Sequence, residues 1–251
     1  MKTEFGDRMK KYESDQNYYI DNSKYIVIRL DGHGFSKFTR WFEKPFDLKI
    51  INIMRNVVID LMNEFNPITA FTQSDEITLI FEPSENFIYK WRHNKLLSLT
   101  AWFTSARFNY YLTKELIENN NWLNNEKLLN KIWNAYFDSR LMEMPSEIEA
   151  FNMLLWRTRD CEKNSKNTFA QEFVSHKELQ KLTSEESIEL CKNKSWYDWN
   201  LLDNVYKYGS IFKKENFEKE PWVIRTRVIE INEKISTTDE WVDFILLKKI
   251  N

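Results

Sequence analysis

The spacing of hydrophobic and polar residues predicts a strand, a helix and a hairpin near the start of the chain. Residues 25–30 are a run of β-favouring side chains that ends at an Asp-Gly pair, which predicts a strand. Apolar side chains recur every three or four residues over 50–65, which predicts an amphipathic helix. Residues 67–73 and 77–81 predict two further strands, and the polar tripeptide 74–76 between them predicts a tight turn.

The rest of the chain predicts longer helices and two more strands. Ser146 with Glu149, and Thr183 with Glu186, have the spacing of a capping box, which marks the start of a helix. The remaining predicted elements are a short helix within 2–17, a long helix over 89–118, a short strand over 140–144, helices that begin near 146 and 183, and a strand over 223–231.

The order of elements between residues 20 and 145 is β-α-β-β-α-β, which predicts an α+β fold. This order builds a split βαβ, ferredoxin-like sheet. We expect residues 1–145 to form this core. Residues 146–251 then add helices and a C-terminal extension to the same domain, because no clear linker separates the two parts.

Composition and charge narrow the class of protein. The chain is 42% hydrophobic and 16% aromatic, which supplies a sizeable core and argues against disorder. A net charge of −2 excludes a polycationic, histone-like binder but leaves room for a nucleic-acid enzyme with a local basic patch. Two cysteines and three histidines form no disulfide framework or zinc spacing. With no apolar leader or membrane-length run, we expect a cytoplasmic protein that does not bind membranes.

Two carboxylates fall where the predicted topology brings strand ends together. Asp31 follows the first strand and Asp75 lies at the hairpin tip, beside that strand in the sheet. Carboxylates this close repel each other unless cations neutralise them, and oxygen ligands favour Mg²⁺ together with phosphates. Two such ions would clamp the attacking and leaving oxygens of a phosphoryl transfer. Asp-Gly and Ser-Asp-Glu are also common in ordinary turns, so each motif alone is weak.

A glycine pair follows the first carboxylate. The chain has four glycines, and two of them, Gly32 and Gly34, fall in one pentapeptide. A turn over 32–36 directs successive N–H groups at an anion, as a triphosphate requires. Lys44, Arg92 and Lys95 would neutralise more of its charge, although Arg92 and Lys95 also fit a solvated helix face.

Polar residues form a stripe on the helix after Ser146. Arg157, Asp160, Asn164 and Asn167 are spaced by three, four and three residues, which places them on one helix face. The stripe fits a surface that faces nucleotide or RNA. It also fits the polar face that any amphipathic helix needs.

Several segments, in a fixed order, resemble the tRNA-His guanylyltransferase family. The resemblance runs from about residue 7 to about residue 214, and the ordered set is more specific than any one motif. The segments are 29–39, 44–47, 72–76, Arg92 with 95–98, 137–140 with Pro145, 156–160 with Asn164, and 207–209.

The resemblance implies a palm-like catalytic core, similar to that of ordinary polymerases, that works in the reverse direction. Family members add nucleotides to the 5′ end of tRNA. The 5′ phosphate is activated by ATP or is already a triphosphate, and the 3′-hydroxyl of an incoming GTP or other NTP attacks it. The implied partners are tRNA-His or a 5′-truncated tRNA and nucleotides, and the implied assembly is a homotetramer built as a dimer of dimers.

The resemblance also implies roles for individual residues. Asp31 and Asp75 bind both Mg²⁺ ions, the Gly32 carbonyl binds one, and Glu76 completes the catalytic set. The implied nucleotide-binding residues are Gly32, His33, Gly34, Phe35, Ser36, Lys44, Asp47, Ser74, Asp75, Arg92 and Lys95. The implied contacts to RNA or to a second nucleotide are Arg140, Arg157, Asp160, Asn164 and Lys207.

Two departures from the family pattern point to a subgroup. Residues 162–165 read Glu-Lys-Asn-Ser where eukaryotic members carry His-Ile-Asn-Asn, and 45–47 read Pro-Phe-Asp in place of Pro-Asn-Asp. Both features resemble guanylyltransferase-like members, which prefer template-dependent repair of 5′-truncated tRNAs.

Three other functions use the same features. A palm-fold nucleotidyl cyclase shares the carboxylate pair, but the Gly-Gly-Asp-Glu-Phe hairpin of diguanylate cyclases is absent and the tip at 73–76 reads Gln-Ser-Asp-Glu. An enzyme that modifies the 5′ end of another RNA is the second. A catalytically silent RNA-binding module is the third, and the presence of both Asp31 and Asp75 argues against it.

Overall fold

The computed structural model describes residues 4–86, 88–118 and 126–250. The strands are β1 Tyr25–Gly32, β2 Thr69–Gln73, β3 Glu76–Phe81, β4 Phe137–Met144, β5 Ser210–Glu220 and β6 Val223–Ile231. The helices are α1 Glu4–Ser14, α2 Phe35–Phe38, α3 Leu48–Phe65, α4 His93–Glu118, α5 Glu126–Leu129, α6 Glu147–Phe173, α7 His176–Leu179, α8 Ser184–Ser195, α9 Asn204–Tyr208 and α10 Asp239–Leu246. Short 3₁₀ turns lie at Thr39–Trp41, Ile88–Trp91 and Trp199–Leu201.

The six strands form one antiparallel sheet with the order β4-β1-β3-β2-β5-β6. Its first four strands have the order of a ferredoxin-like sheet, so the predicted α+β fold is confirmed. β5 and β6, from the part of the chain after residue 145, continue the same sheet. The division of the domain at residue 145 stays a prediction.

Helices cover both faces of the sheet, because the side chains of β1 are apolar on both sides. Ile28 and Leu30 pack with α3 and α4, whereas Val27, on the opposite face of the strand, packs with α6 and α10. A third cluster joins the C-terminal half of α6 to α8 and Trp199. The ends of β1 and β3 near Asp31 lie where this cover stops, and side chains there reach a cavity.

Several predicted boundaries were wrong for local reasons. β4 begins at Phe137, not at residue 140. α4 begins at His93, not at residue 89, because Tyr89 and Lys90 have φ of 56° and 52°, in the left-handed region that a helix cannot include. β5 and α10 were not predicted: the end of β5 alternates charged residues with few apolar ones, so its strand character depends on pairing with β6.

The predicted helix starts at Ser146 and Thr183 are confirmed. The Ser146 hydroxyl accepts a hydrogen bond from the Glu149 N–H at 3.3 Å. Thr183 and Glu186 form the complete reciprocal capping box, which satisfies N–H groups that a helix start otherwise leaves unpaired. Among the described helices, none has the length and apolar character needed to cross a membrane.

A buried lysine attaches the C-terminal helix to the sheet. Lys213 of β5 is fully buried, and its Nζ donates to Thr69 Oγ1 at 2.8 Å, to the Ile245 carbonyl at 3.1 Å and to the Leu247 carbonyl. Both carbonyls are at the end of α10, where a helix leaves acceptors unpaired. Burial lowers the pKa of Lys213 to about 7.

This pKa makes the stability of the fold depend on pH. Between pH 7 and about 10 the unfolded chain binds a proton at Lys213 that the folded chain has lost, so the free energy of unfolding rises with pH. Lys213→Met lacks this increase. The free energy of unfolding of the native protein, relative to that of Lys213→Met, therefore changes by up to about 1.4 kcal/mol per pH unit. Urea unfolding at three pH values measures it. Lys219→Met, at an exposed position of the same strand, is the control. Parallel stability curves for the native protein and Lys213→Met would contradict the prediction.

Candidate active site

The register of β1 against β3 brings three carboxylates to one end of the sheet. Asp31 lies opposite Glu76 in the antiparallel ladder, and Asp75 lies in the turn just before β3. The Gly32 N–H donates to the Asp75 carbonyl at 3.2 Å, which holds the turn against β1. Ser74 has φ of 48°, and this left-handed residue closes the turn. The predicted meeting of Asp31 and the hairpin tip is confirmed.

Asp75 is the perturbed member of this group. Burial raises the pKa of its carboxyl to about 6, and the nearby charges of Asp31 and Glu76 act in the same direction. The Ser74 hydroxyl, 3.0 Å from Asp75 Oδ1, opposes the shift. A nearby cation would therefore stabilise the ionised form of Asp75. This is expected for a carboxylate that shares a metal ion with a second carboxylate, here Asp31.

The donor set fits a hard divalent cation that also uses substrate oxygens. Two carboxylates, Asp31 and Asp75, lie beside the backbone of Gly32. Within the described residues, no group of three or more His, Cys, Asp or Glu side chains is arranged to hold a metal by itself. Mg²⁺ commonly takes one or two protein carboxylates and completes its shell with phosphates and water, so this set is sufficient.

Glu76 is held by an arginine from the helix above. Arg157 of α6 is buried, and its Nε and Nη2 donate to the two Glu76 oxygens at 2.5 and 2.6 Å. Asp160 accepts from Arg157 at 3.1 Å and from Asn164 at 3.1 Å. The predicted contact of Arg157 with RNA or a second nucleotide stays a prediction, and the structure shows that its guanidinium is engaged with Glu76. Glu76 is therefore placed to support the site through this pair.

A cavity of about 580 Å³ opens at the carboxylates. It lies between the sheet end, the loop before α3, α6 and α9. Ten of the predicted site residues line it, namely Asp31, Phe35, Ser36, Lys44, Asp47, Ser74, Asp75, Glu76, Arg157 and Asn164. The structure thus brings together the predicted metal ligands, part of the predicted nucleotide loop and two residues of the predicted polar stripe.

The glycine loop beside the cavity is built for a close turn. A side chain at Gly32 would put its Cβ 2.3 Å from the Phe35 ring, so no larger residue fits. Gly34 has φ of 63° and precedes α2, in the conformation that glycine adopts without strain. His33 stacks on Tyr136 with ring centroids 4.9 Å apart, and its N–H donates to the Tyr136 carbonyl at 2.9 Å. Gly32, His33 and Gly34 lie beside the cavity and are not among the residues that line it.

Asp47 has a structural role. Its carboxylate accepts from the N–H groups of Lys49 at 2.8 Å and Ile50 at 3.3 Å, which caps α3. It also accepts from the Glu43 N–H at 2.9 Å, which fixes the loop that carries Lys44. A direct role of Asp47 with nucleotide stays a prediction.

Four predicted cations lie outside the cavity lining. Arg92 and Lys95 lie near the start of α4, where Arg92 Nε donates to the Tyr89 carbonyl at 3.4 Å and Lys95 lies over the Tyr89 ring. Lys207 Nζ donates to the Asn200 carbonyl at 3.1 Å. Arg140 lies closest to the site, with Nη2 3.7 Å from Asp31 Oδ2. Their contacts with nucleotide or RNA stay predictions.

The predicted set of site residues left out Arg29, Phe46 and Tyr206. Arg29 lies two residues before Asp31 and so on the same face of β1, and its buried Nε has no hydrogen-bond partner among the described residues. Phe46 and Tyr206 stack at 5.3 Å and both line the cavity. The two-residue alternation of β1 was the signal that would have found Arg29.

Cys161 also lines the cavity but is chemically quiet. Burial raises the pKa of its thiol to about 12, so it is protonated at neutral pH. A protonated thiol is a poor nucleophile, so the surroundings that the structure describes do not activate Cys161 for covalent catalysis.

The Arg157–Glu76 pair gives a testable stability prediction. Arg157→Met leaves Glu76 charged and without its partner, and breaking such a buried pair costs about 3–5 kcal/mol. The double variant Arg157→Met with Glu76→Gln removes the stranded charge and recovers part of that loss. Urea unfolding of both variants measures the difference. Equal stability of the single and double variants would show that the pair is not coupled.

Comparison with known proteins relates the chain to one family. A family model described as tRNAHis guanylyltransferase matches residues 6–145. The chain is 36% identical over 225 residues to an uncharacterized protein of Acanthamoeba polyphaga mimivirus, covering 84% of this chain and 77% of that one. It is 31% identical over 240 residues to the tRNA(His) guanylyltransferase of Schizosaccharomyces pombe, covering 84% and 80%.

Solved structures agree with this assignment. Bacterial tRNA(His) guanylyltransferase-like proteins in complex with ATP and with GTP match with TM-scores of 0.79 and 0.76, both at 25% identity. The matches cover 97% and 98% of this chain and 99% and 100% of those proteins. The family match spans more than half of the chain and contains Asp31, Gly32 and Asp75. The predicted membership is therefore confirmed, and the chain belongs to the tRNAHis guanylyltransferase family.

Proposed function

We propose that this protein extends the 5′ end of a tRNA in the 3′-to-5′ direction, with GTP and other NTPs as substrates. Family membership supports a nucleotidyltransferase. The observation that carries the proposal is the Asp31–Asp75 pair beside the Gly32–Ser36 loop, at the opening of a cavity large enough for a nucleotide. Carboxylates in this arrangement are what a two-metal phosphoryl transfer requires.

The proposed reaction joins an NTP to an activated 5′ phosphate of RNA. The 3′-hydroxyl of the NTP attacks the 5′ α-phosphorus, and pyrophosphate leaves, or AMP leaves when ATP has activated a monophosphate end. Mg²⁺ bound by Asp31, Asp75 and the Gly32 carbonyl would lower the pKa of the hydroxyl and stabilise the leaving group. The residues of the chain position these groups, and most of the rate enhancement comes from positioning and charge neutralisation.

Different charged residues around the cavity contribute to positioning and to charge neutralisation. Lys44 lines the cavity and neutralises triphosphate charge. Arg157 fixes Glu76, so that the negative charge next to the metal ligands is balanced before substrate binds. Two bacterial relatives are described in complex with ATP and with GTP, which supports a nucleotide as substrate.

We further propose that the physiological activity is template-dependent repair of 5′-truncated tRNAs. The support is Phe46, which stands where tRNA-His-specific members carry Asn and which stacks on Tyr206 in the cavity wall. Residues 162–165 also lack the His-Ile-Asn-Asn sequence. A homotetramer, and activation by ATP of a 5′ end that is not already a triphosphate, are parts of the same proposal and follow from the family resemblance. A cytoplasmic location is a further part and rests on the low cysteine content.

The carboxylate pair predicts a large loss of activity without a loss of folding. Asp31→Asn and Asp75→Asn each reduce the rate of 5′ addition by on the order of 10²–10⁴, because each removes a metal ligand. Single-turnover extension of 5′-triphosphorylated tRNA measures the effect. Asp21→Asn, in the turn before β1, is the control and keeps full activity. Substantial activity in either site variant would contradict a two-metal mechanism.

The raised pKa of Asp75 predicts that the substitution which lowers activity increases the stability of the fold. The folded-state pKa of about 6 lies above the usual 3.8, so an ionised Asp75 opposes folding above pH 6, and this cost fades below pH 4. In EDTA at pH 8, Asp75→Asn is therefore more stable than the native protein by on the order of 1–2 kcal/mol, and the gain is lost at pH 4. Urea unfolding at both pH values measures the gain. An equal gain in stability at pH 8 and pH 4 would contradict the prediction, because it would show that the gain comes from packing and not from the charge.

The choice of substrate is tested with a tRNA that lacks its first nucleotide. We expect the protein, with Mg²⁺ and all four NTPs, to add the nucleotide that pairs with the opposite strand and then to stop at the full-length end. Single-nucleotide resolution of the 5′ end is the measurement. Addition of G regardless of the opposite base would favour tRNA-His maturation, and turnover of NTPs without RNA would favour a cyclase.

A further inference from the structure

A surface beside the glycine loop concentrates positive charge. It consists of two segments, 33–41 and 127–136, which we call the basic aromatic surface. Together they contain four Lys and Arg residues and no Asp or Glu, in a chain with 36 basic and 38 acidic residues. The four cations are Lys37, Arg40, Lys127 and Lys131. Such a local excess is the electrostatic footprint of a polyanion site in a protein whose net charge is near zero.

The two segments touch along their length, so they form one surface. At one end His33 stacks on Tyr136 and its N–H donates to the Tyr136 carbonyl. In the middle Lys131 Nζ donates to the Lys37 carbonyl at 3.3 Å. At the other end Lys127 Nζ lies 3.9 Å from the centroid of the Trp41 ring.

Large aromatic side chains on this surface face solvent. Trp133 is 65% exposed, Tyr136 is 56% exposed and Trp41 is 46% exposed. Trp133 also has φ of 61°, an uncommon conformation for a bulky residue. Exposed aromatic faces interleaved with Lys and Arg are suited to stacked bases and backbone phosphates, which is how proteins hold single-stranded nucleic acid.

The surface continues directly from the active site. His33 is two residues after Asp31, and Ser36 and Thr39 of the first segment also line the cavity. An RNA whose 5′ end reaches Asp31 and Asp75 therefore has this surface next to its first nucleotides.

We propose that the basic aromatic surface binds the RNA substrate next to its reacting 5′ end, through phosphate contacts from the lysines and stacking on Trp133. This inference rests on the proposed function for the identity of the RNA. It goes beyond the residues of the cavity, because Trp133 and the second segment do not line it.

An RNA-binding assay tests the contribution of the lysines. We measure the binding of a 5′-triphosphorylated tRNA that lacks its first nucleotide by fluorescence anisotropy, from low to high salt. Lys37→Ala with Lys127→Ala weakens binding by about tenfold and lowers the salt slope by about two, since each lysine lost removes about one ion contact. Lys177→Ala with Lys181→Ala, at exposed positions near α7, is the matched control and changes neither quantity. Lys37→Arg with Lys127→Arg restores the slope.

The stacking contribution has its own pair of variants. Trp133→Ala weakens RNA binding by roughly tenfold with little change in salt slope, in line with loss of one stacked base. Trp196→Ala is the matched control, since Trp196 is also exposed and has φ of 66°. For all variants we expect unchanged GTP binding and an unchanged rate of extension at saturating RNA.

The outcomes separate this inference from the proposed function. Unchanged RNA affinity in both Lys37→Ala with Lys127→Ala and Trp133→Ala would overturn the inference and leave the proposed function standing. The inference is also overturned if sedimentation shows that the variants lose affinity only because subunits dissociate. If the native protein binds the tRNA in a surface-dependent way but never extends it, the proposed function fails and the surface remains an RNA-binding site.

Discussion

The antiparallel register of β1 and β3 is the constraint on which the site depends, because it gathers Asp31, Asp75 and Glu76 at one end of a covered sheet. Three carboxylates this close together repel one another, and the structure compensates the charge of each one differently. Glu76 is neutralised by Arg157, and Asp31 stays partly exposed near Arg140. Asp75 has no such partner among the described residues and its pKa is raised, as expected for a carboxylate at a site that binds a cation.

The rest of the fold supports this arrangement from both sides of the sheet. α3 and α4 fill one face with apolar side chains, so β1 and β3 are fixed in register before any charge is considered. α6 covers the other face and supplies Arg157 where β3 begins. The same helix lines the cavity with Asn164, so the helix that packs the core also positions part of the site. Packing and chemistry are therefore coupled through one element.

The proposed chemistry gives a reason for features that lower stability. An ionised Asp75 opposes folding, and Trp133 leaves most of its apolar surface in water, where it contributes little to stability. A nucleotidyl transfer to RNA needs both a metal pair and a grip on phosphates close to the reacting end. The carboxylates and the basic aromatic surface would supply these two needs, and Asp31 lies two residues before the first segment of that surface.

The sequence by itself determined the α+β class, the order of the first four strands and the pairing of Asp31 with the hairpin tip, because these depend on local periodicity and turn chemistry. It also carried the motifs of the family. Only the tertiary structure decided that Arg157 pairs with Glu76, that Asp47 caps a helix, and that Lys213 is buried under α10. These depend on which distant element packs against each side chain, and helix-face spacing alone does not specify that partner.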